Sequence, residues 1–401
     1  MTDSGSPESG FAFSTIESLR SRHGRKWSLH GDEVIPGWIA DADVDVCPPV
    51  DRALRALLDR GDVTYPIEDV TAPVAEAFAA RMADRYGWHP DPSGVVLVAD
   101  LVQAVSLAID HLSVPGDGVM LQTPCYPPFL EEIAALERVV IPSPWRRTSD
   151  GWEPDLDQIA EHAANSPGSV FVLVNPHNPT GRVWTADELE ALAQLVADYE
   201  LIVISDEIHA ELTHTDSTGS EYRHIPFAMV DPVIAERTIT LTSTSKSFNL
   251  PGLRCAVMHL GSGVALEPIR RVRATQIGQI SNMGQLATLT AWAEGHHWLE
   301  DFRRAIGDRR DQAAYLIGEL LPEVSWVAPQ ATYLAWLDCR GLSLDQDPAQ
   351  FFLERARVAL SPGPDFGPGG VGHVRINLAT SASILAEIIE RMVTAIDISR
   401  G

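Results

Sequence analysis

The sequence is short of lysine, of paired cysteines and of long apolar runs, and each shortage excludes something. Of its 30 basic residues only Lys26 and Lys246 are lysine; the other 28 are arginine. Against 55 acidic residues this leaves a net charge of −25. Such a balance argues against nucleic acid or an anionic membrane as a partner, because both need a basic surface. Cys47, Cys125, Cys255 and Cys339 are scattered, without zinc-ligand spacing or a disulfide framework. Reduced thiols in a cytoplasmic protein account for them. No apolar run approaches membrane-spanning length, and the opening MTDSGSPESG is polar and acidic, unlike a secretory signal. What remains is 401 residues, 45% hydrophobic and 21% charged, which suits a soluble globular chain of two domains.

A chain that uses arginine for nearly all its positive charge keeps lysine where arginine cannot serve. Lys246 lies in LTSTSKSFNLPGLR, residues 241–254, directly after the β-branched apolar run 238–241. That run predicts a short buried strand. Only an amine that can lose its proton forms a Schiff base with a carbonyl, whereas guanidinium stays charged. The ordinary alternative is a surface lysine in a loop.

In chain order, residues 1–12 are rich in Ser, Gly and Pro and read as a mobile lead. Residues 35–43, IPGWIADAD, lack helical periodicity and read as an extended arm. Helical spacing marks 49–60 and 71–86, stopped by Gly61 and Gly87. Strands are expected at 95–99, 119–122, 169–174, 201–204, 238–241 and 255–260, with helices at 101–112 and 186–199 among them. This alternation predicts an α/β domain with a mostly parallel sheet between helices. Asp100 and Gln103 fit a capping pattern, so the helix start is an anion site or simply a capped helix. Tyr126, between prolines at a strand end, is placed to stack on a planar ligand or to pack on the core. Asn178 (in NPHNPTG), Asp206 (in SDEIH) and Lys246 also follow strands. Ligands of parallel sheets bind at the carboxyl ends of strands, so these three converge on one crevice. Residues 264–293 read as largely helical. Beyond them a helix at 297–320, strands at 332–337 and 373–377, a helix at 348–358, a Pro/Gly loop at 362–370 and a closing helix predict a smaller α+β domain.

Taken together, NPHNPTG, SDEIH, STSKSFNLPGLR and HVRINLA resemble the fold-type I pyridoxal-phosphate enzymes of the class I/II aminotransferase superfamily. PGWIADADVDVCPP eight residues after Lys26-Trp27, with TPCYPPF and SDEIHAEL, looks like the MalY/PatB branch of cystathionine β-lyases and related cysteine-S-conjugate lyases. The resemblance runs along nearly the whole chain. It implies a three-layer large domain over 49–290, a small C-terminal domain over 291–401, and an arm over 1–48 that joins the small domain. It implies pyridoxal 5′-phosphate as cofactor, with Lys246 as the Schiff-base lysine and the base on the substrate Cα. Asp206 would pair with the pyridine nitrogen, its alternative being a buried structural carboxylate. Asn178 would meet the phenolic oxygen and border the substrate, and Tyr126 would stack on the ring at the catalytic centre. Ser243, Ser245 and Arg254 would hold the phosphate together with the amides of Leu101 and Val102.

The same resemblance gives Tyr65 to the cofactor phosphate and substrate of a neighbouring subunit, hence a homodimer with shared sites. Arg375 would clamp the substrate α-carboxylate, or serve as an ordinary strand-edge arginine. His209 would line the cofactor pocket, or be a satisfied structural histidine, and the segment Trp38–Asp41, with Trp38 touching the substrate, would border the substrate entrance. Two departures stand out. Ala99-Asp100 replaces a small Pro-Gly-type turn and sets a carboxylate beside the phosphate helix, and Thr244 replaces a common proline. The activity implied is β-elimination from L-cystathionine or related S-substituted cysteines, giving pyruvate, ammonia and a thiol. The alternatives are an aminotransferase of amino acids and 2-oxo acids, and a regulatory protein that acts through partner binding.

Overall fold

The computed structural model describes residues 11–65, 71–149, 151–166 and 168–400. Its centre is a seven-stranded sheet of β1 (Val95–Val98), β2 (Gly118–Thr123), β3 (Val139–Pro144), β4 (Val170–Val174), β5 (Ile202–Asp206), β6 (Thr238–Thr242) and β7 (Ala256–Leu260). The spatial order is β1-β7-β6-β5-β4-β2-β3. Strands β2 to β6 run parallel to their neighbours, while β7 is antiparallel to both β1 and β6.

The β4 sequence VFVLV is buried at every position, as expected of a strand covered on both faces. Its alternate side chains go to opposite layers. Val172 and Val174 meet Ala104, Val105 and Ile109 of helix Leu101–Leu112, whereas Phe171 and Leu173 meet Leu189, Leu192 and Val196 of helix Ala186–Asp198. The chain is therefore three-layered α/β/α, as its alternation predicts. Helix Ala186–Asp198 starts on a reciprocal box: the Glu188 amide donates to Thr185 Oγ1, and the Thr185 amide donates to Glu188 Oε2 at 2.8 Å.

A second, four-stranded antiparallel sheet pairs Ser325–Trp326, Leu334–Asp338, His373–Asn377 and Ser361–Pro362 in that order. Ala313 and Ile317 of helix His296–Leu320, with Leu385 and Ile388 of helix Ala382–Arg400, pack on its Ala335, Leu337, Val374 and Ile376. Ile35–Pro36 pairs in parallel with Val358–Ala359 as a separate two-stranded sheet, which ties the arm to the C-terminal part of the chain. Residues 37–43 then cross to the large sheet. The Asn377 amide group donates to the carbonyls of Ile39 and Asp41, and Asn249 brackets Ala42 by its amide and carbonyl.

Several local expectations differ from what forms. The helix expected over 348–358 is Pro348–Phe351 followed by a π-turn, Phe352–Ala356. Arg357, with φ 56°, ends it in the left-handed region and releases Val358–Ala359 to pair as a strand. Residues 264–293 break into Glu267–Arg270, Ala274–Ile277 and Asn282–Glu294, with Gly278 at φ 81° between the last two. The hairpin Arg146–Thr148/Gly151–Glu153 and the helices Pro127–Ala135 and Leu156–Asn165 were not anticipated by periodicity. Residues 1–10 of the expected mobile lead lie outside the described residues. Phe11 is not mobile lead: it is buried edge-on against Phe13 and Trp298.

Candidate active site

Register sets the site. Val174 of β4 stands opposite Asp206 of β5, which stands opposite Leu241 of β6, so three parallel strands end level. The loops leaving those ends carry Asn178, His209 and Lys246. Because β7 returns antiparallel beside β1, Arg254 at its start comes to lie next to Asp100 at the end of β1.

Lys246 sits on the single turn Thr244–Ser247, whose start is capped by Ser243 Oγ accepting from the Ser245 amide at 3.1 Å. Its Nζ donates to the Ala40 carbonyl at 2.8 Å and has no carboxylate within ion-pair distance among the described residues. Burial lowers its pKa below that of an ordinary lysine. The Asp41 and Asp206 charges oppose that shift, and Arg375 adds to it. The amine is thus biased toward its uncharged, nucleophilic form.

Asp206 is buried, and burial pushes its pKa up to about 7. The nearby Glu207 charge adds to the rise, while the Ile208 amide, donating to Oδ1 at 3.1 Å, and the Lys246 ammonium oppose it. A carboxylate in that state would be stabilised by a cation placed against it. Three residues on, His209 is 2% exposed, and burial pulls it down to about 3, so it is neutral. Its Nδ1 has no partner among the described residues although it is buried.

Arg375 is 5% exposed and lies behind Asn178. It donates from Nη1 to Asn178 Oδ1 at 3.0 Å, and from Nη2 to the Trp38 carbonyl at 3.0 Å and to Ser361 Oγ at 3.2 Å. The guanidinium stands 5.0 Å over the Phe366 ring. Burial pulls its pKa down to about 10. No carboxylate pairs with it among the described residues, so a buried cation is left with neutral partners and lacks an anion. A bidentate anion would complete it.

The Asp100 carboxylate resolves the first departure. Its Oδ1 accepts from the Gln103 amide at 2.8 Å, Gln103 Oε1 accepts from the Ala99 amide at 2.8 Å, and Oδ2 pairs with Arg254. The acid is neutralised and turned into the cap. The first amides of the helix, Leu101 and Val102, are left facing the cavity.

One cavity is lined by Ala40, Leu101, Val102, Tyr126, Asn178, Asp206, His209, Ser245, Lys246 and Arg254. Four sequence candidates lie outside that lining: Arg375, which stands behind Asn178, and Ser243, Trp38 and Tyr65. Ser243 is buried behind the cavity, its hydroxyl donating to the Cys255 carbonyl at 2.7 Å. Trp38 contributes its carbonyl, while its ring lies 5.3 Å under Arg25. Tyr65 is 88% exposed and sits away from this cavity, beside residues 279–283. Sequence reasoning missed Tyr333, whose buried hydroxyl donates to the Ala40 carbonyl at 2.9 Å, and Phe366 beneath Arg375. Nothing in TYLAWL beyond strand periodicity marks Tyr333.

The chain matches the aminotransferase class I and II family over residues 41–392. It is 31% identical over 386 residues to the cystathionine β-lyase of Corynebacterium glutamicum, covering 96% of this chain and 100% of that protein. It is 30% identical over 397 residues to protein MalY of Escherichia coli, covering 96% and 99%. Among solved structures it superposes with a TM-score of 0.88 on cystalysin from Treponema denticola, which contains a pyridoxal 5′-phosphate cofactor. The two are 28% identical over 96% of this chain and 99% of that one. With the family matched across most of its length, on a three-layer fold whose strand ends gather Asn178, Asp206 and Lys246, the chain belongs to the aminotransferase class I and II family.

Proposed function

We propose that this protein is a pyridoxal-phosphate-dependent carbon–sulfur β-lyase that cleaves L-cystathionine or a related S-substituted cysteine to pyruvate, ammonia and a thiol. The observation that carries the reading is the gathering, among the described residues, of a half-buried amine without a carboxylate partner, a buried carboxylate and, behind Asn178, a buried guanidinium without an anion at the carboxyl ends of three parallel strands. The relatives named as lyases favour elimination over transfer: the C. glutamicum cystathionine β-lyase is 31% identical, against 25% for an aspartate aminotransferase of Pyrococcus horikoshii.

The residues fit the cofactor. The amides of Leu101 and Val102, with Ser245 and Arg254, form an anion cradle at a helix start. Asp206 is a buried acceptor suited to a ring nitrogen, and Tyr126 a flat neighbour suited to a ring face. The unpartnered Nδ1 of His209 and the amide of Asn178 are polar groups suited to ring substituents. Bound there, pyridoxal 5′-phosphate supplies a carbonyl for the amine and a ring that accepts the electron pair left at Cα.

The chain's own residues do the rest. Lys246 would hold the cofactor covalently and, once freed, would take the Cα proton on Nζ. Asp206, a buried carboxylate that a cation placed against it would stabilise, would hold the ring nitrogen in its protonated form. Arg375 fixes the substrate carboxylate, and with it the direction of the Cα–H bond toward Lys246. The electron pair left at Cα would expel the β-thiolate, and the return of Lys246 to its attachment would free the enamine, which water converts to pyruvate and ammonia.

The division into an arm and small-domain segment over 1–48, a large domain over 49–290 and a small domain over 291–401 belongs to the same reading, supported by the pairing of Ile35–Pro36 with Val358–Ala359. So does a homodimer. Tyr65 and Val63 are exposed on a loop that Asn282 holds by a 2.8 Å bond to the Thr64 carbonyl, as suits a tip inserted into a partner's site. No described helix is long and apolar enough to cross a membrane, and a cytoplasmic location fits the free cysteines.

The test is product analysis of the cofactor-loaded protein with L-cystathionine, with and without a 2-oxo acid. Pyruvate, ammonia and thiol without the acceptor are the expected products. Turnover that requires the acceptor would make the protein an aminotransferase instead.

A further inference from the structure

We propose that Asp41 is a specificity-determining residue that receives a cationic group on the leaving-thiol end of the substrate and disfavours a carboxylate there. The proposal rests on the β-lyase reading above. Ala40 and Asp41 lie on the arm that crosses between the sheets, and their backbone is pinned from both sides. The Ala40 carbonyl accepts from Lys246 and Tyr333 at 2.8 and 2.9 Å, and the Asp41 carbonyl accepts from Lys26 Nζ at 3.0 Å and Asn377 Nδ2 at 2.8 Å. The Ala42 amide and carbonyl are both held by Asn249 at 2.9 Å.

The Asp41 carboxylate, by contrast, is half-buried with no hydrogen-bond or ion-pair partner among the described residues. Its charge is felt at two groups that line the cavity, the Lys246 amine, where it acts more strongly than any other charge, and the Tyr126 phenol, and at the buried Tyr333 phenol beside Ala40. A half-buried carboxylate on a fixed backbone, next to Ala40, which lines the cavity and whose carbonyl holds Lys246 Nζ, is a group whose partner arrives with the ligand.

Elimination identifies which part of the ligand that is. The other charges at the site have tasks. Arg254 stands with Asp100 at the helix start, and Arg375 is held by Asn178, Trp38 and Ser361 for a carboxylate. A substrate's α-amine is consumed in attachment and its α-carboxylate is taken by Arg375. Only the far end of the side chain is left to meet Asp41. Among the described residues no further lysine or arginine lines the cavity to receive a carboxylate there. A distal ammonium, as in the homocysteine half of cystathionine, is matched, and a lone distal carboxylate is repelled.

The experiment compares S-(2-aminoethyl)-L-cysteine with S-(carboxymethyl)-L-cysteine, which place opposite charges at similar reach from sulfur. The ratio of their kcat/KM values is measured for the wild-type holoenzyme, for Asp41→Asn and for Asp41→Glu. We expect the ratio to fall about tenfold or more in Asp41→Asn and to stay within about threefold of wild type in Asp41→Glu. The visible absorbance of the bound cofactor in each variant reports that the site is intact. Should Asp41→Asn lose that band, Asp41→Glu and the wild-type preference for the aminoethyl compound decide the matter. A ratio unchanged in Asp41→Asn overturns the proposal while leaving the lyase reading standing, because an effect through Lys246 or through the α-amine would change both substrates alike. Absence of pyruvate from either compound and from L-cystathionine overturns the lyase reading and the proposal with it.

Discussion

The chain's two lysines both lie in polar surroundings within the fold, Lys26 buried and Lys246 half-buried at the cavity, yet they differ in kind. Lys26, 4% exposed, has the Asp43 carboxylate 2.9 Å from Nζ and donates to the Asp41 carbonyl at 3.0 Å. Asp43 is further held by Trp27 Nε1 at 2.7 Å. Lys246 donates to a carbonyl alone. One cation is matched to an anion and so is structural; the other is left unmatched, and burial turns it toward the free amine. The two differ in exposure and, more tellingly, in partner. That difference shows why a sequence that writes 28 of its 30 basic residues as arginine retains two lysines for separate reasons.

The largest effect that would sharpen this contrast is on turnover. Lys246→Ala removes attachment and proton transfer together, so pyruvate release should fall by about 10³-fold or more. A residual rate within tenfold of wild type would place the chemistry elsewhere. Lys26→Met should act on stability instead. It leaves Asp43 buried without its cation, at a cost of about 3–5 kcal/mol read from the urea midpoint. The cofactor's visible band should persist in that variant, and its loss would mean that Lys26 too serves the site.

How much of this contrast could be read without coordinates depends on distance along the chain. The strand ends, the Thr185 and Asp100 caps and the gathering of Asn178, Asp206 and Lys246 are legible because they follow from local periodicity and a parallel sheet. The partners that define each charge are not. Ala40 meets Lys246 and Tyr333 across 206 and 293 residues. Phe366 meets Arg375 only because Gly363–Phe366 forms a 3₁₀ turn where a bare Pro/Gly loop was expected. The Asp100 carboxylate looked repulsive in isolation, and became a cap and ion pair once the antiparallel β7 brought Arg254 beside it.

The smallest predicted effect concerns Asp206 in the cofactor-free protein. Its folded pKa, about 7, lies above the ordinary 3.8. Between those values the folded chain binds a proton that the unfolded chain has lost. This group's contribution to stability is therefore greatest at low pH and declines as pH rises from about 4 to about 7, by at most about 1.4 kcal/mol per pH unit. Asp206→Asn should flatten that part of the profile of Tm against pH. An unchanged slope would show that the buried carboxylate is not the group responsible.

The contrast between the lysines is tested most directly by borohydride reduction of the cofactor-loaded protein followed by peptide mapping. With two lysines in the chain the outcome is binary. The account predicts the reduced cofactor on Lys246, with Lys26 unmodified; label on Lys26, or on neither, would contradict it.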